Sequence, residues 1–240
     1  MSSNDVLPLA NDDLKPFRLT QWSRRHAVIL LIGAGSALLE GSPLLMILMI
    51  LASFLGLIQI LLHGMKGKRK LGYANALSCC RIAGSLALLA SPSLEHGLLT
   101  LAALALLGLD GLDGWLARRL GETSMEGALL DLEADALLVL VLCLLLSSQN
   151  PPGLWILAPG LFRPLFVLSD RPDSATSQQS GTRFTRAIGT LSPLVLALLL
   201  LPDFPEQLVM PLAVGTTTML AASFLYSSVL RLRKPGCLLP

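Results

Sequence analysis

The chain has 240 residues, of which 53% are hydrophobic and only 14% charged, and its mean hydropathy is +0.67. This composition excludes an ordinary soluble domain, because a soluble domain of this size needs more polar surface, and it predicts an integral membrane protein. The formal net charge of +2 is small, and four basic against three acidic residues in the first 25 argue against nucleic-acid binding. The four cysteines show no C-x-x-C spacing, so neither a disulfide framework nor a zinc site is expected.

The first 65 residues predict a polar tail followed by a helical hairpin. Residues 1–25 carry Phe17 and Trp22 among charged side chains, which is typical of a short interfacial helix at the lipid headgroups. No cleaved signal peptide is expected, because this region is polar. The apolar run over 27–62 is interrupted at 40–43, and at about 1.5 Å per residue it is too long for one span and fits a tight hairpin. The three histidines lie near predicted membrane boundaries and are interpreted as interfacial: His26, His63 and His96.

Six further apolar segments follow a basic loop at 66–70. They extend over about 73–91, 97–120, 127–148, 152–168, 185–202 and 207–230. With the N-terminus inside, all 18 lysines and arginines fall on the cytoplasmic side of the membrane, as the positive-inside rule requires. The expected fold is all-α and polytopic, with about eight helices and both termini cytoplasmic. An N-terminal unit of tail, interfacial segment and hairpin (1–65) precedes a six-helix unit (66–240).

Four aspartates lie on two neighbouring predicted helices, although an ionised group there costs roughly 3 kcal/mol of insertion free energy. Asp110 and Asp113 are three residues apart, so they share one helix face. Asp131 and Asp135 are four apart and share a face of the next helix. A polar turn at 118–126 predicts that the two helices pack antiparallel, with all four carboxylates near the turn. Converging carboxylate oxygens suit a hard divalent cation such as Mg2+ or Mn2+.

Small residues accompany the two acidic pairs. Gly114 and Ala117 follow the first pair, and Gly127 lies one turn before Asp131, which leaves room for close approach of a bulky ligand. Two classes of function fit these residues: a metal-dependent membrane enzyme, and a transporter that carries an ion or a metal on intramembrane carboxylates. The sequence shows no evident inverted repeat, which argues against the transporter.

The stretch from 110 to 135 also reads as one continuous motif, D-x2-D-G-x2-A-R-x8-G-x3-D-x3-D. Its eight fixed positions match, residue for residue and gap for gap, the signature of the CDP-alcohol phosphotransferases, so the chain resembles that family. The resemblance implies a phospholipid-synthesis enzyme with a six-helix membrane core. Such an enzyme transfers a phosphatidyl group from CDP-diacylglycerol to the hydroxyl of a small alcohol and releases CMP. The expected location is a membrane, the inner membrane of a bacterium, with the active site on the cytoplasmic side.

The resemblance also assigns roles to individual residues. The expected ligands of two Mg2+ or Mn2+ ions are Asp110, Asp113, Asp131 and Asp135. The last of these is also the expected catalytic base, which deprotonates the acceptor hydroxyl. The residues expected to contact the CDP donor are Asn75, Ser78, Arg81, Gly114, Ala117, Arg118 and Gly127. The first three resemble a shorter family motif, N-x-L-T-x-x-R, with serine in place of threonine. A helix cap at Asn75 and interfacial anchoring by Arg81 and Arg118 stay open as alternatives.

Three arginines, Arg163, Arg183 and Arg186, predict an acceptor that carries a phosphate. Guanidinium groups bind phosphate oxygens by paired hydrogen bonds, and all three lie at the expected cytoplasmic depth. The competing explanation is the positive-inside rule, which places basic residues there without any ligand. The identity of the acceptor alcohol and the oligomeric state, a homodimer included, stay open.

Glu133 is the one acidic residue of this region without an expected role. It lies two positions from both Asp131 and Asp135, about 160–200° around the helix, so it cannot share their site. Contact with the N-terminal hairpin and snorkelling to the headgroups are both open. The hairpin itself carries no part of either motif, so it is interpreted as an extension without which the chemistry remains possible.

Overall fold

The computed structural model describes residues 14–65, 73–120, 125–148, 152–169 and 183–233. Within these ranges the chain is all-helical, with eight α-helices, one 3-10 helix and no strand, which confirms the predicted all-α class. The α-helices are α1 (Leu14–Glu40), α2 (Leu44–Met65), α3 (Tyr73–Ala90), α4 (His96–Leu120), α5 (Met125–Ser147), α6 (Ala158–Ser169), α7 (Arg183–Leu198) and α8 (Glu206–Arg233). The 3-10 helix (Leu154–Leu157) leads directly into α6.

Two glycines with a left-handed backbone stand beside helix ends. α1 stops at Glu40 because Gly41 adopts a left-handed backbone, with a φ of 68°, and Pro43 has no N–H to continue the ladder. Gly153, with a φ of 76°, stands directly before the start of the 3-10 helix. The bounds of the six predicted core segments differ from the observed helices by four residues or fewer when the 3-10 helix is counted together with α6.

The N-terminal helix differs from the prediction. α1 runs without interruption for 27 residues, where the sequence predicted a separate interfacial helix before the first span. Trp22 and His26 are 7% and 6% exposed, so the interpretation of both as headgroup residues is wrong. The indole Nε1 of Trp22 donates a hydrogen bond to the carbonyl oxygen of Ser53, at 3.0 Å, and its ring stacks on His26. A carbonyl oxygen on α2 therefore satisfies the indole N–H of Trp22, which the sequence alone assigned to the membrane interface.

The bundle is built around α5. Its second half is buried almost completely, and α3, α6 and α7 pack against it. α3 also packs along α4 and lies between α4 and α5, which touch each other only slightly. The predicted direct packing of α4 on α5 is therefore wrong for most of their length. A small residue explains the close fit of α3 to α4, because a Cβ at Gly84 would lie 2.6 Å from the Cδ2 of Leu106.

The outer faces of the bundle are rich in apolar side chains. On α8 the exposed ones include Leu208, Leu212, Met219 and Leu225. Among the described segments, one, Glu206–Ser227, is long and apolar enough to cross a membrane by itself. Shorter apolar helices of the described part of the chain include Leu44–Ile60 and His96–Leu112.

Candidate active site

Three of the four signature aspartates converge in the bundle. Asp110 lies on α4, and Asp131 and Asp135 lie one turn apart on α5. Each offers a carboxylate oxygen, and these oxygens all lie within 4.8 Å of one another. Their side chains are 33%, 41% and 47% exposed, so a ligand can reach them from one side. We call these three residues the aspartate cluster.

Arg81 on α3 fills the inner side of the aspartate cluster. Its Nη1 lies 2.8 Å from Asp110 and donates a 2.7 Å hydrogen bond to Asp131. Its Nη2 donates to Asp135. Arg81 is 1% exposed, so it does not snorkel to the interface. The position of α3 between α4 and α5 explains this geometry, because a side chain on α3 reaches carboxylates on both neighbours.

The chemistry of the cluster fits a divalent cation. Carboxylate oxygens are hard donors, and three within one small volume are the kind of ligand set that Mg2+ or Mn2+ takes in proteins. With all three carboxylates ionised and the guanidinium charged, the group carries a formal charge of −2, which one divalent cation would neutralise. The partly open side of the cluster leaves space for further oxygen ligands from a phosphate or from water.

Other predicted site residues are placed only in part. Ser78 lies one turn before Arg81 on α3 and is buried, and Gly127 lies one turn before Asp131 and is half-buried. The side chains of the following predicted residues lie outside the described part of the chain: Asn75, Asp113, Gly114, Ala117, Arg118, Arg183 and Arg186. Their backbones belong to α3, α4 and the first turn of α7. Their roles therefore stay predictions.

Glu133 and Arg163 form an ion pair that the sequence reasoning missed. The Nη2 of Arg163 donates a 2.9 Å hydrogen bond to the Oε1 of Glu133, and the Oγ of Ser23 donates to the same oxygen at 2.7 Å. Of the two roles left open for Glu133, contact with the N-terminal hairpin is the one observed. A signal was present, because Glu133 and Arg163 are opposite charges on neighbouring apolar segments, but Arg163 was assigned to the acceptor phosphate and Glu133 had no assigned partner.

The fold and the site together define a helical protein with a buried guanidinium and a carboxylate cluster suited to a divalent metal. The chain belongs to the CDP-alcohol phosphatidyltransferase family, whose family model matches residues 71–219, more than half of the sequence. Comparisons with curated proteins and with solved structures gave no match. The family match confirms the resemblance that the motif indicated and places the chain among the transferases of the CDP-alcohol class.

The matched region has a clear relation to the helices. It begins just before α3 and ends within α8, so it contains the aspartate cluster and Arg81. Helices α1 and α2 precede it. Members of the family are integral membrane proteins, which agrees with the apolar outer face of α8.

Proposed function

We propose that this protein transfers a phosphatidyl group from CDP-diacylglycerol to the hydroxyl of a small phosphorylated alcohol and releases CMP, with a divalent metal as cofactor. The observation that carries the proposal is the convergence of Asp110, Asp131 and Asp135, all signature positions, within 4.8 Å in a chain of this family. Sequence spacing placed them on two helices, and the bundle brings their oxygens together.

In the proposed reaction, the acceptor hydroxyl oxygen attacks the phosphorus nearest the diacylglycerol. The bond from that phosphorus to the bridging oxygen breaks, and CMP leaves with that oxygen. Asp135 takes the proton of the acceptor hydroxyl as general base. This role suits the most exposed carboxylate of the cluster, at 47%, because the acceptor must approach from the open side.

The remaining groups of the cluster would hold the donor. Asp110 and Asp131, with Asp113 of the same signature, would ligate Mg2+ or Mn2+, and bound metal supplies neutralisation of the negative charge on the diphosphate. Arg81 is fixed by three carboxylates at the base of the site, so it would present positive charge to the donor without rearranging. Arg118 would contact a donor phosphate from the end of α4.

The preference for a phosphorylated acceptor rests on Arg183 and Arg186. Both lie in the first turn of α7, three residues apart, and α7 packs against α4 and α5, which carry the aspartate cluster. Arg163 belongs to a different place, since it lies on α6 and pairs with Glu133 on the side of α5 away from Asp131 and Asp135. We therefore assign the acceptor phosphate to the two arginines of α7.

The site is proposed to face the cytoplasm of a cell, where CDP-linked donors form and soluble acceptors are available. The predicted topology, in which all 18 basic residues fall on one side of the membrane, supports this orientation. The exposed apolar side chains of α8 support burial of the bundle in lipid.

The test uses purified full-length protein with radiolabelled CDP-diacylglycerol. We expect CMP release only with Mg2+ or Mn2+ and an acceptor, and none in EDTA. Glycerol 3-phosphate and inositol phosphate are compared with glycerol, inositol and serine, in wild type and in Arg183→Ala. A preference for the phosphorylated acceptors, with a raised acceptor KM in Arg183→Ala, supports the assignment. An ion carrier would release no CMP under any of these conditions, and that result would defeat the enzyme proposal.

A further inference from the structure

Helix α5 carries acidic side chains on two opposite faces. Asp131 and Asp135 face Asp110 and Arg81, whereas Glu133, between them in sequence, faces α1 and α6. Glu133 is 4% exposed, so its charge is removed from solvent and depends on its partners. Those partners are the hydroxyl of Ser23 on α1 and the guanidinium of Arg163 on α6.

The contact of Glu133 with α1 continues across to α2. One turn after Ser23, the Nδ1 of His26 lies 2.7 Å from the Oγ of Ser53 on α2. The rings of Trp22 and His26 stack with centroids 4.8 Å apart, and both contact the ring of Phe54 edge to face. α1 is thus bonded on one side to α2 and on the other to α5, and the N-terminal hairpin is joined to α5 at Glu133.

We call the contact of Ser23, Glu133 and Arg163 the joint, and it is too tightly filled to be a substrate pocket. The space enclosed by Ser23, His26, Glu133 and Arg163 is about 10 Å3, roughly the size needed for one water molecule. A buried ion pair of this kind adds little net stability compared with apolar packing, but separating its partners leaves a buried charge uncompensated, which disfavours other arrangements of the two helices. Rotation of α5 about its axis would pull Glu133 out of this joint and would turn Asp131 and Asp135 away from Asp110 at the same time.

We propose that Glu133 is a positioning residue, through which the N-terminal hairpin and Arg163 hold α5 in the rotation that aims Asp131 and Asp135 at Asp110. The inference rests on the proposed function for its catalytic meaning, but its geometry concerns residues outside the aspartate cluster. Helices α1 and α2 lie outside the region matched by the family, so this support for α5 belongs to the extension of this chain. It replaces the interpretation of the hairpin as dispensable for the chemistry.

The experiment measures Mn2+ binding to purified full-length protein by electron paramagnetic resonance, well below the thermal transition of each variant. Glu133→Gln is expected to raise the Mn2+ Kd by roughly tenfold, and Ser23→Ala by roughly threefold. The reason is that α5 can rotate when these contacts are lost, and Asp131 and Asp135 then move away from the metal. Ser23→Thr keeps the hydroxyl and should restore binding to within about twofold. Glu40→Gln, at an exposed helix end, and Ser36→Ala, which loses only a bond to Gly33 in the same helix, are the matched controls.

The outcomes separate positioning from mere stability. If the joint serves stability alone, Glu133→Gln and Ser23→Ala will have lower thermal midpoints but an Mn2+ Kd within twofold of wild type. That result overturns the proposal. If Glu133→Gln does not fold, Ser23→Ala decides, because it removes a hydroxyl without leaving a buried charge unbalanced. Asp131→Asn must weaken Mn2+ binding more than Glu133→Gln does; otherwise the metal lies elsewhere and the positioning role is wrong. Failure of the proposed reaction is a separate result: wild type would then bind Mn2+ but release no CMP.

Discussion

Arg81 is the side chain on which the aspartate cluster depends for charge balance. Its guanidinium contacts Asp110, Asp131 and Asp135 and is almost wholly buried. Carboxylates held this close repel one another unless a cation lies among them. Arg81 supplies one positive charge, and a bound divalent metal would supply the rest.

Replacement of Arg81 by methionine should therefore make stability depend more strongly on metal. In EDTA, Arg81→Met should lose about 3 kcal/mol of unfolding free energy, because three carboxylates lose their shared partner. Added Mg2+ should raise the thermal midpoint of Arg81→Met by more than it raises the thermal midpoint of wild type. Arg25→Met, an exposed arginine on α1, serves as the control. An equal loss of unfolding free energy in Arg81→Met with and without Mg2+ would show that Arg81 and the metal do not share the aspartate cluster.

The aspartates of the cluster are expected to be non-equivalent. Asp131→Asn should weaken Mn2+ binding, because a ligand is lost, whereas Asp135→Asn should keep binding of Mn2+ and of CDP-lipid and lose turnover by roughly 100-fold or more. Turnover and Mn2+ Kd are measured on the same preparations, with the exposed Asp203→Asn as control. Turnover of Asp135→Asn close to that of wild type would remove Asp135 as the base.

At the scale of elements, the approach of α6 to α5 depends on one glycine. A Cβ at Gly160 would lie 2.9 Å from the Cα of Leu140 and 2.6 Å from its Cδ1. A backbone atom cannot rotate away, so any side chain here must push the two helices apart. The same interface carries the pair of Glu133 with Arg163, which makes the helix spacing relevant to the joint.

Gly160→Ala should accordingly lower the free energy of unfolding by about 2 kcal/mol through overpacking. Gly189→Ala on α7 is the matched control, because nothing lies within 4 Å of its Cβ position and alanine favours the helix. Thermal unfolding in detergent compares the two variants. A midpoint of Gly160→Ala at or above that of Gly189→Ala would mean that α6 is free to shift away from Leu140, contrary to the close approach of the two helices at Gly160.

At the scale of the whole molecule, the eight α-helices of the described ranges and the distribution of basic residues predict which loops face the cytoplasm. The turns around Ser93 and Asp203 lack lysine and arginine, whereas the segments at the other end of the bundle contain them. The aspartate cluster would then lie in the cytoplasmic half of the bundle, on the side of the soluble acceptors.

Cysteine labelling in intact bacterial cells tests this orientation. In a cysteine-free background, Ser93→Cys and Asp203→Cys should react with a membrane-impermeant maleimide from outside. Gln21→Cys, at an exposed position of α1, should react only after the membrane is opened. Labelling of Gln21→Cys in intact cells, with protection of the other two, would reverse the orientation and place the site on the outer side.

Much of the architecture could be predicted from the order of residues because its causes are local. Runs of apolar residues, with glycine and proline between them, set the bounds of the core helices to within a few residues. The motif from 110 to 135 identified the family and the aspartates that converge, because spacing along a helix decides which side chains share a face.

Other features were decided only by tertiary structure, because they depend on which helix lies beside which. The sequence could not show that α3 separates α4 from α5, and so it did not predict that Arg81 would meet three carboxylates. Nor could it show that α1 packs on α5, where Ser23 meets Glu133. Periodicity specifies the direction of a side chain relative to its own helix, but the partner in that direction depends on the packing of the whole bundle.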